Sequence, residues 1–82
     1  MPYRFTAHAL ARISERHIPS EWLDAVLDTP QRVVPAQPPR EERQGVFERD
    51  GKPVLLRVIV EGDLVITAML TSKLDKYGVP TP

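Results

Sequence analysis

Apolar residues recur at three- and four-residue intervals through the first third of the chain and at alternate positions through its last half. The first rhythm marks helices and the second marks half-buried strands. In "TAHALARISERHIPS", Leu10 and Ile13, with Ala9 beside them, are the expected core side of a first helix. Thr6 is placed to cap it, with Phe5 before it as a hydrophobic staple. At about 100° per residue, His8, Arg12 and Glu15 fall on the opposite side, Arg16 falls on its edge, and His17 returns near the apolar arc. Pro19 ends this helix, because its ring disfavours a helical residue before it. Ser20 is the expected cap of a second helix, "EWLDAVLD", whose apolar face is Trp22, Leu23, Val26 and Leu27. Together these segments predict a helical hairpin over residues 6–29.

Strand-like runs follow. "QRVVPAQ" predicts a strand over 31–36, at a sheet edge because Pro35 cannot donate to a ladder. "PAQPPREER" is a proline-rich, charged connection. "RQGVFER" and "KPVLLRVIV" predict strands over 43–49 and 53–60, joined at Asp50-Gly51, a strong hairpin signal. Gly62-Asp63 turns the chain again into a strand over 64–70. "TSKLDKYG" predicts a tail helix over 72–77, capped by Ser72 and stopped by Gly78. The expected fold is therefore α+β. Two N-terminal helices pack on an antiparallel sheet of three to four strands, a short C-terminal helix follows, and residues 1–82 form a single domain.

Composition narrows the chemistry. Eleven Lys and Arg balance eleven Asp and Glu, which argues against a strongly basic nucleic-acid binder but leaves room for a local patch. The absence of cysteine excludes disulfides, thiolate metal sites and a cysteine nucleophile. No apolar run is long enough to span a bilayer, and the first ten residues lack the apolar core of a secretion signal. A cytoplasmic protein without a membrane partner is expected.

His8, Arg12 and Arg16 recur four residues apart on the first helix. They read either as a solvated face or as a phosphate-handling strip. Histidine can take and give a proton near neutral pH, and arginine offers a planar fork for phosphate. Arg12 could equally pair with Glu15, and Arg16 with Glu21 or Asp28. Arg57 interrupts "VLLRVIV", the most apolar run, so it must be paired or face water; Glu48 is a candidate partner. Thr67 breaks the next strand in the same way. It lies opposite Arg57 if Val60 pairs with Leu64, and on the other face if a two-residue turn shifts the register by one. Lys73 and Tyr77 share a face of the tail segment, where they extend a basic surface or where Tyr77 anchors the tail on the sheet. His8 and His17 lie on different sides of one helix with no third ligand near, so neither a metal site nor a cofactor is expected.

Two blocks in this order, "HALARISERHIPSEWLDAVLDTP" and "VLLRVIVEGDLVITAMLTSKLDKYG", resemble the bacterial family called domain of unknown function 4258. The resemblance implies a fold similar to RelE/ParE-type and BrnT-type toxins, with two helices on a twisted antiparallel sheet. By position, His8, Arg12 and Arg16 match the family's helix motif, and Thr67 and Tyr77 its closing block. Arg57 falls in the penultimate strand, where the match is looser. Leu70 stands where relatives often carry an aromatic residue, and His17 where a glycine commonly ends the first helix. The implied activity is that of a metal-independent endoribonuclease of a toxin–antitoxin system. His8, Arg12 and Arg16 would be its catalytic group, and Arg57, Thr67, Lys73 and Tyr77 would bind substrate. The implied partners are RNA and an antitoxin protein. A second copy of the chain is expected on a separate ground, since small domains with sheet edges often self-associate. The alternative is a non-catalytic interaction module that binds a protein partner along the basic helix face or at the sheet edge near Val33 and Val34.

Overall fold

A computed structural model describes residues 3–78. Helices α1 (Ala7–Glu15) and α2 (Ser20–Asp28) cover one face of a five-stranded sheet. The strands are β1 (Arg4–Phe5), β2 (Arg32–Pro35), β3 (Glu41–Arg49), β4 (Lys52–Glu61) and β5 (Leu64–Thr71), in the spatial order β1-β5-β4-β3-β2. This corrects the expected fold. The sheet is mixed rather than antiparallel, it has five strands rather than three or four, and a strand precedes the helices. The cause is β1, which pairs parallel to the start of β5. Two residues are too few to show an alternating pattern, yet the Arg4 N–H donates to the Asp63 carbonyl (2.8 Å) and the Thr6 N–H to that of Val65 (3.1 Å). The tail is likewise a 3₁₀ turn, Leu74–Tyr77, preceded by Lys73 rather than capped by Ser72, and Gly78 stops it in the left-handed conformation.

Thr6 starts α1 and ties it to the sheet with one hydroxyl. Its Oγ1 accepts from the Ala9 N–H (3.0 Å) and donates to the Ile66 carbonyl (2.7 Å). At the other end the chain adopts a Schellman turn, in which Ile18 N–H reaches Ile13 and His17 N–H reaches Ser14. His17 takes the left-handed conformation there (φ 51°), the place that glycine usually fills. The second helix departs from expectation at its start. Pro19 is the N-cap and Ser20 is the first helical residue, with no side-chain cap.

Ala9, Ile18, Leu23, Val26 and Leu27 meet Leu56, Val58, Val60, Val65 and Ala68 in the core. Leu10, expected in the core, is 54% exposed. The fully buried Ala9 is centred on the sheet instead, and this rotation swings Arg12 and Arg16 towards β5. Gly45 lets α2 approach β3; a Cβ there would stand 2.9 Å from the Val26 side chain and 3.0 Å from the Phe47 ring.

Asp50 and Gly51 both carry positive φ (55° and 77°), the pattern of a type I′ hairpin. Gly62-Asp63 joins Glu61 to Leu64 as a two-residue turn, and a bulge beside Ile59/Val60 then resets the register. Thr67 consequently sits opposite Ile59 and Met69 opposite Arg57. Neither register weighed from the sequence holds. The turn shifts the pairing by one residue, and the bulge returns Thr67 to the Arg57 face.

Candidate functional site

A hollow of about 400 Å³ opens between α1 and the outer side of β5. His8, Arg12 and Arg16 border it from the helix, and Thr67, Ala68, Met69 and Leu70 from the strand. Positions one helical turn apart, from the first turn of α1 to its C-cap Arg16, deliver these side chains, because Ala9 rather than Leu10 is turned to the sheet. The strand side is open because β1 stops after pairing with Val65. Thr67 borders the hollow as part of this strand edge. Its register places its side chain on the face away from the helices, with those of Arg57 and Met69.

The arginines separate by what holds them. Arg43 and Arg49 cap the C-termini of the two helices. Arg43 Nη1 donates to the Leu27 carbonyl and to the Tyr3 hydroxyl (2.9 Å). Arg49 Nη1 and Nη2 donate to the Arg16 and His17 carbonyls (2.9 and 2.6 Å). The Arg49 guanidinium also lies 5.0 Å from the Trp22 ring centre, and Trp22 stacks on Phe47. Carbonyls at a helix C-terminus lack helical donors, and cations there complement the dipole. Arg4 pairs with Asp63, and Arg40 with Glu61. Arg32 donates to the Tyr77 carbonyl. Arg12 pairs with Glu15 at 3.1 Å, a half-exposed contact worth only about 0.3–0.5 kcal/mol. Among the described residues, Arg16 is the one arginine whose side chain has no hydrogen-bond, ion-pair or ring partner, and the His8 side chain has none either. The pairings of Arg16 with Glu21 or Asp28 do not form.

Arg57 belongs to a different place. It lies on the sheet face away from the helices and pairs with Glu42, not with Glu48. Its Nε and Nη2 meet the two carboxylate oxygens at 2.8 and 2.9 Å. Gln44, opposite Arg57 on β3, donates to the same carboxylate, and the guanidinium stacks on the Tyr77 ring at 4.1 Å. Burial works to raise the Glu42 carboxyl pKa, but hydrogen bonds from Arg57 and Gln44 outweigh it and hold it below its usual value. The hydrogen bond to Glu42 raises the Arg57 pKa in turn. Arg57, Lys73 and Tyr77 therefore do not join His8, Arg12 and Arg16, and Tyr77 serves as an anchor for the tail. Glu42 and Gln44 were missed in the sequence. The signal for them was the need of Arg57 for a partner, and the register that supplies it pairs strands whose alternation left Glu42 outside the expected strand 43–49.

Among the described residues no cluster of three His, Cys, Asp or Glu could hold a metal ion, and no helix is long and apolar enough to cross a membrane. No family model, no curated protein and no solved structure matches the chain.

Proposed function

We propose that the chain is an RNA-directed protein of the toxin class, a metal-independent endoribonuclease whose site is the hollow between α1 and β5. The single observation that supports this reading is the meeting of an unpartnered imidazole and an unpartnered guanidinium, with Arg12 between them, at one open hollow. RNA cleavage through its own 2′-hydroxyl needs a proton acceptor and cations on the crowded phosphate. His8 takes the 2′-hydroxyl proton as that oxygen attacks the neighbouring phosphorus. The bond to the 5′-oxygen breaks, and the protonated imidazole returns a proton to the leaving oxygen. The products are a 2′,3′-cyclic phosphate and a 5′-hydroxyl end. Arg16 and Arg12 hold the non-bridging oxygens, Arg12 by exchanging its weak contact with Glu15 for the phosphate.

The test is cleavage of an end-labelled oligoribonucleotide in the presence of EDTA, beside growth after controlled expression. His8→Ala abolishes cleavage and growth arrest, and Arg16→Ala lowers cleavage about 100-fold, both with an unchanged circular-dichroism spectrum. The all-deoxy oligonucleotide is not cut. Cleavage that survives His8→Ala, or wild-type protein that neither cuts RNA nor arrests growth, overturns the reading.

A further inference from the structure

β5 runs for eight residues, but β1 pairs only with Leu64 and Val65. The Thr6 hydroxyl then takes the Ile66 carbonyl. Among the described residues, no hydrogen bond from outside the β4 ladder reaches the backbone of residues 67–71. An open strand edge of this kind is a template for another chain. The opposite edge, β2, is a poorer one, since it has four residues and ends at Pro35. Beside the β5 edge, and only there, stand His8, Arg12 and Arg16, across the hollow from residues 67–70.

We propose that the β5 edge takes an extended acidic peptide as an added strand, with alternate carboxylates seated on Arg12 and Arg16. The spacings agree. Four residues of α-helix rise about 6 Å, and same-face side chains of a strand repeat at about 6.8 Å. Successive carboxylates on one face of the peptide thus have nearly the spacing of successive guanidiniums on one side of α1. Charge also decides against a second copy as the occupant. A continuous sheet formed by two β5 edges sets both basic strips on the same face across the two-fold axis, where they repel. An added strand covers the hollow and excludes an RNA phosphate; this regulatory consequence rests on the ribonuclease reading.

The probe is a capped nine-residue peptide of alternating Glu and Thr, fluorescently labelled and titrated by anisotropy against the whole chain. The Glu/Thr peptide binds and gives slowed amide exchange at residues 67–71. Its Lys/Thr counterpart does not bind, and a copy N-methylated at alternate residues loses binding because it cannot complete the ladder. The Arg12→Ser/Arg16→Ser variant binds at least about 10-fold more weakly, the loss of one charge-assisted contact. Equal binding of the acidic and basic peptides, undiminished binding of the N-methylated copy, slowed exchange at residues 32–34 instead, or no binding overturns the proposal. Oligoribonucleotide cleavage is measured on the same preparations. Peptide binding without RNA cleavage removes the ribonuclease reading alone, and His8-dependent cleavage without peptide binding removes the added strand alone.

Discussion

Replacing Arg57 by methionine tests whether the polar cluster behind the sheet is an interior feature or a solvated one. The Glu42 and Arg57 side chains keep only 11% and 18% of their exposure. Arg57→Met keeps most of the apolar stem but strips the carboxylate of two hydrogen bonds and its counter-charge, and strips Tyr77 of its guanidinium. Breaking a fully buried pair by removing one partner costs about 3–5 kcal/mol. Gln44 still donates to Glu42, and the pair is not wholly dry, so about 2–4 kcal/mol is expected here. In a domain of this size that lowers the melting temperature by roughly 10–25 °C. The Glu42→Met/Arg57→Met double variant removes the stranded charge and recovers most of the loss, because well-packed apolar replacements of buried pairs are often neutral. Urea unfolding of the four proteins closes a double-mutant cycle. An Arg57→Met midpoint within about 0.5 kcal/mol of the parent, or a double variant no better than the single, would refute the interior assignment.

Three further outcomes follow from the same geometry. The Glu42 carboxyl is held below its usual value, so its contribution is fully present above the unfolded-state value of about 4.5 and is lost as pH falls through the lowered native one. Acid unfolding of the parent shows this loss, and in Arg57→Met the low-pH slope flattens because protonation then relieves a stranded charge. Gly45→Ala forces a methyl group against Val26 and the Phe47 ring and destabilises by about 1–3 kcal/mol, read by urea midpoint and by loss of Trp22 near-ultraviolet signal. His17→Gly relieves a left-handed non-glycine residue at an exposed turn and stabilises by about 0.5–1 kcal/mol; an unchanged or lower melting temperature would show that the turn is unstrained.

Legibility in the sequence followed the range of the cause. Asp50-Gly51 and the capping hydroxyl of Thr6 act within a few residues, and both stand where the local pattern put them. What failed was set by distant partners. β1 exists because Asp63 and Val65 accept its hydrogen bonds some 60 positions away, and no periodicity could announce it. Leu10 turned outward while the smaller Ala9 took the fully buried place against the sheet, a choice of size that a helical wheel weighted by hydrophobicity does not register. The same limit applies to the arginines, which look alike in the chain. Arg4, Arg32 and Arg49 find partners 59, 45 and 33 or 32 residues away, and Arg57 finds Glu42 on a neighbouring strand. A guanidinium already spent on a helix terminus or a buried carboxylate cannot receive a phosphate without breaking what it holds. Arg16 breaks nothing, and Arg12 gives up only an exposed pair. The candidate strip therefore emerges by subtraction of structural duties, a step that requires the tertiary contacts and that the four-residue spacing of "HALARISER" could pose only as a question.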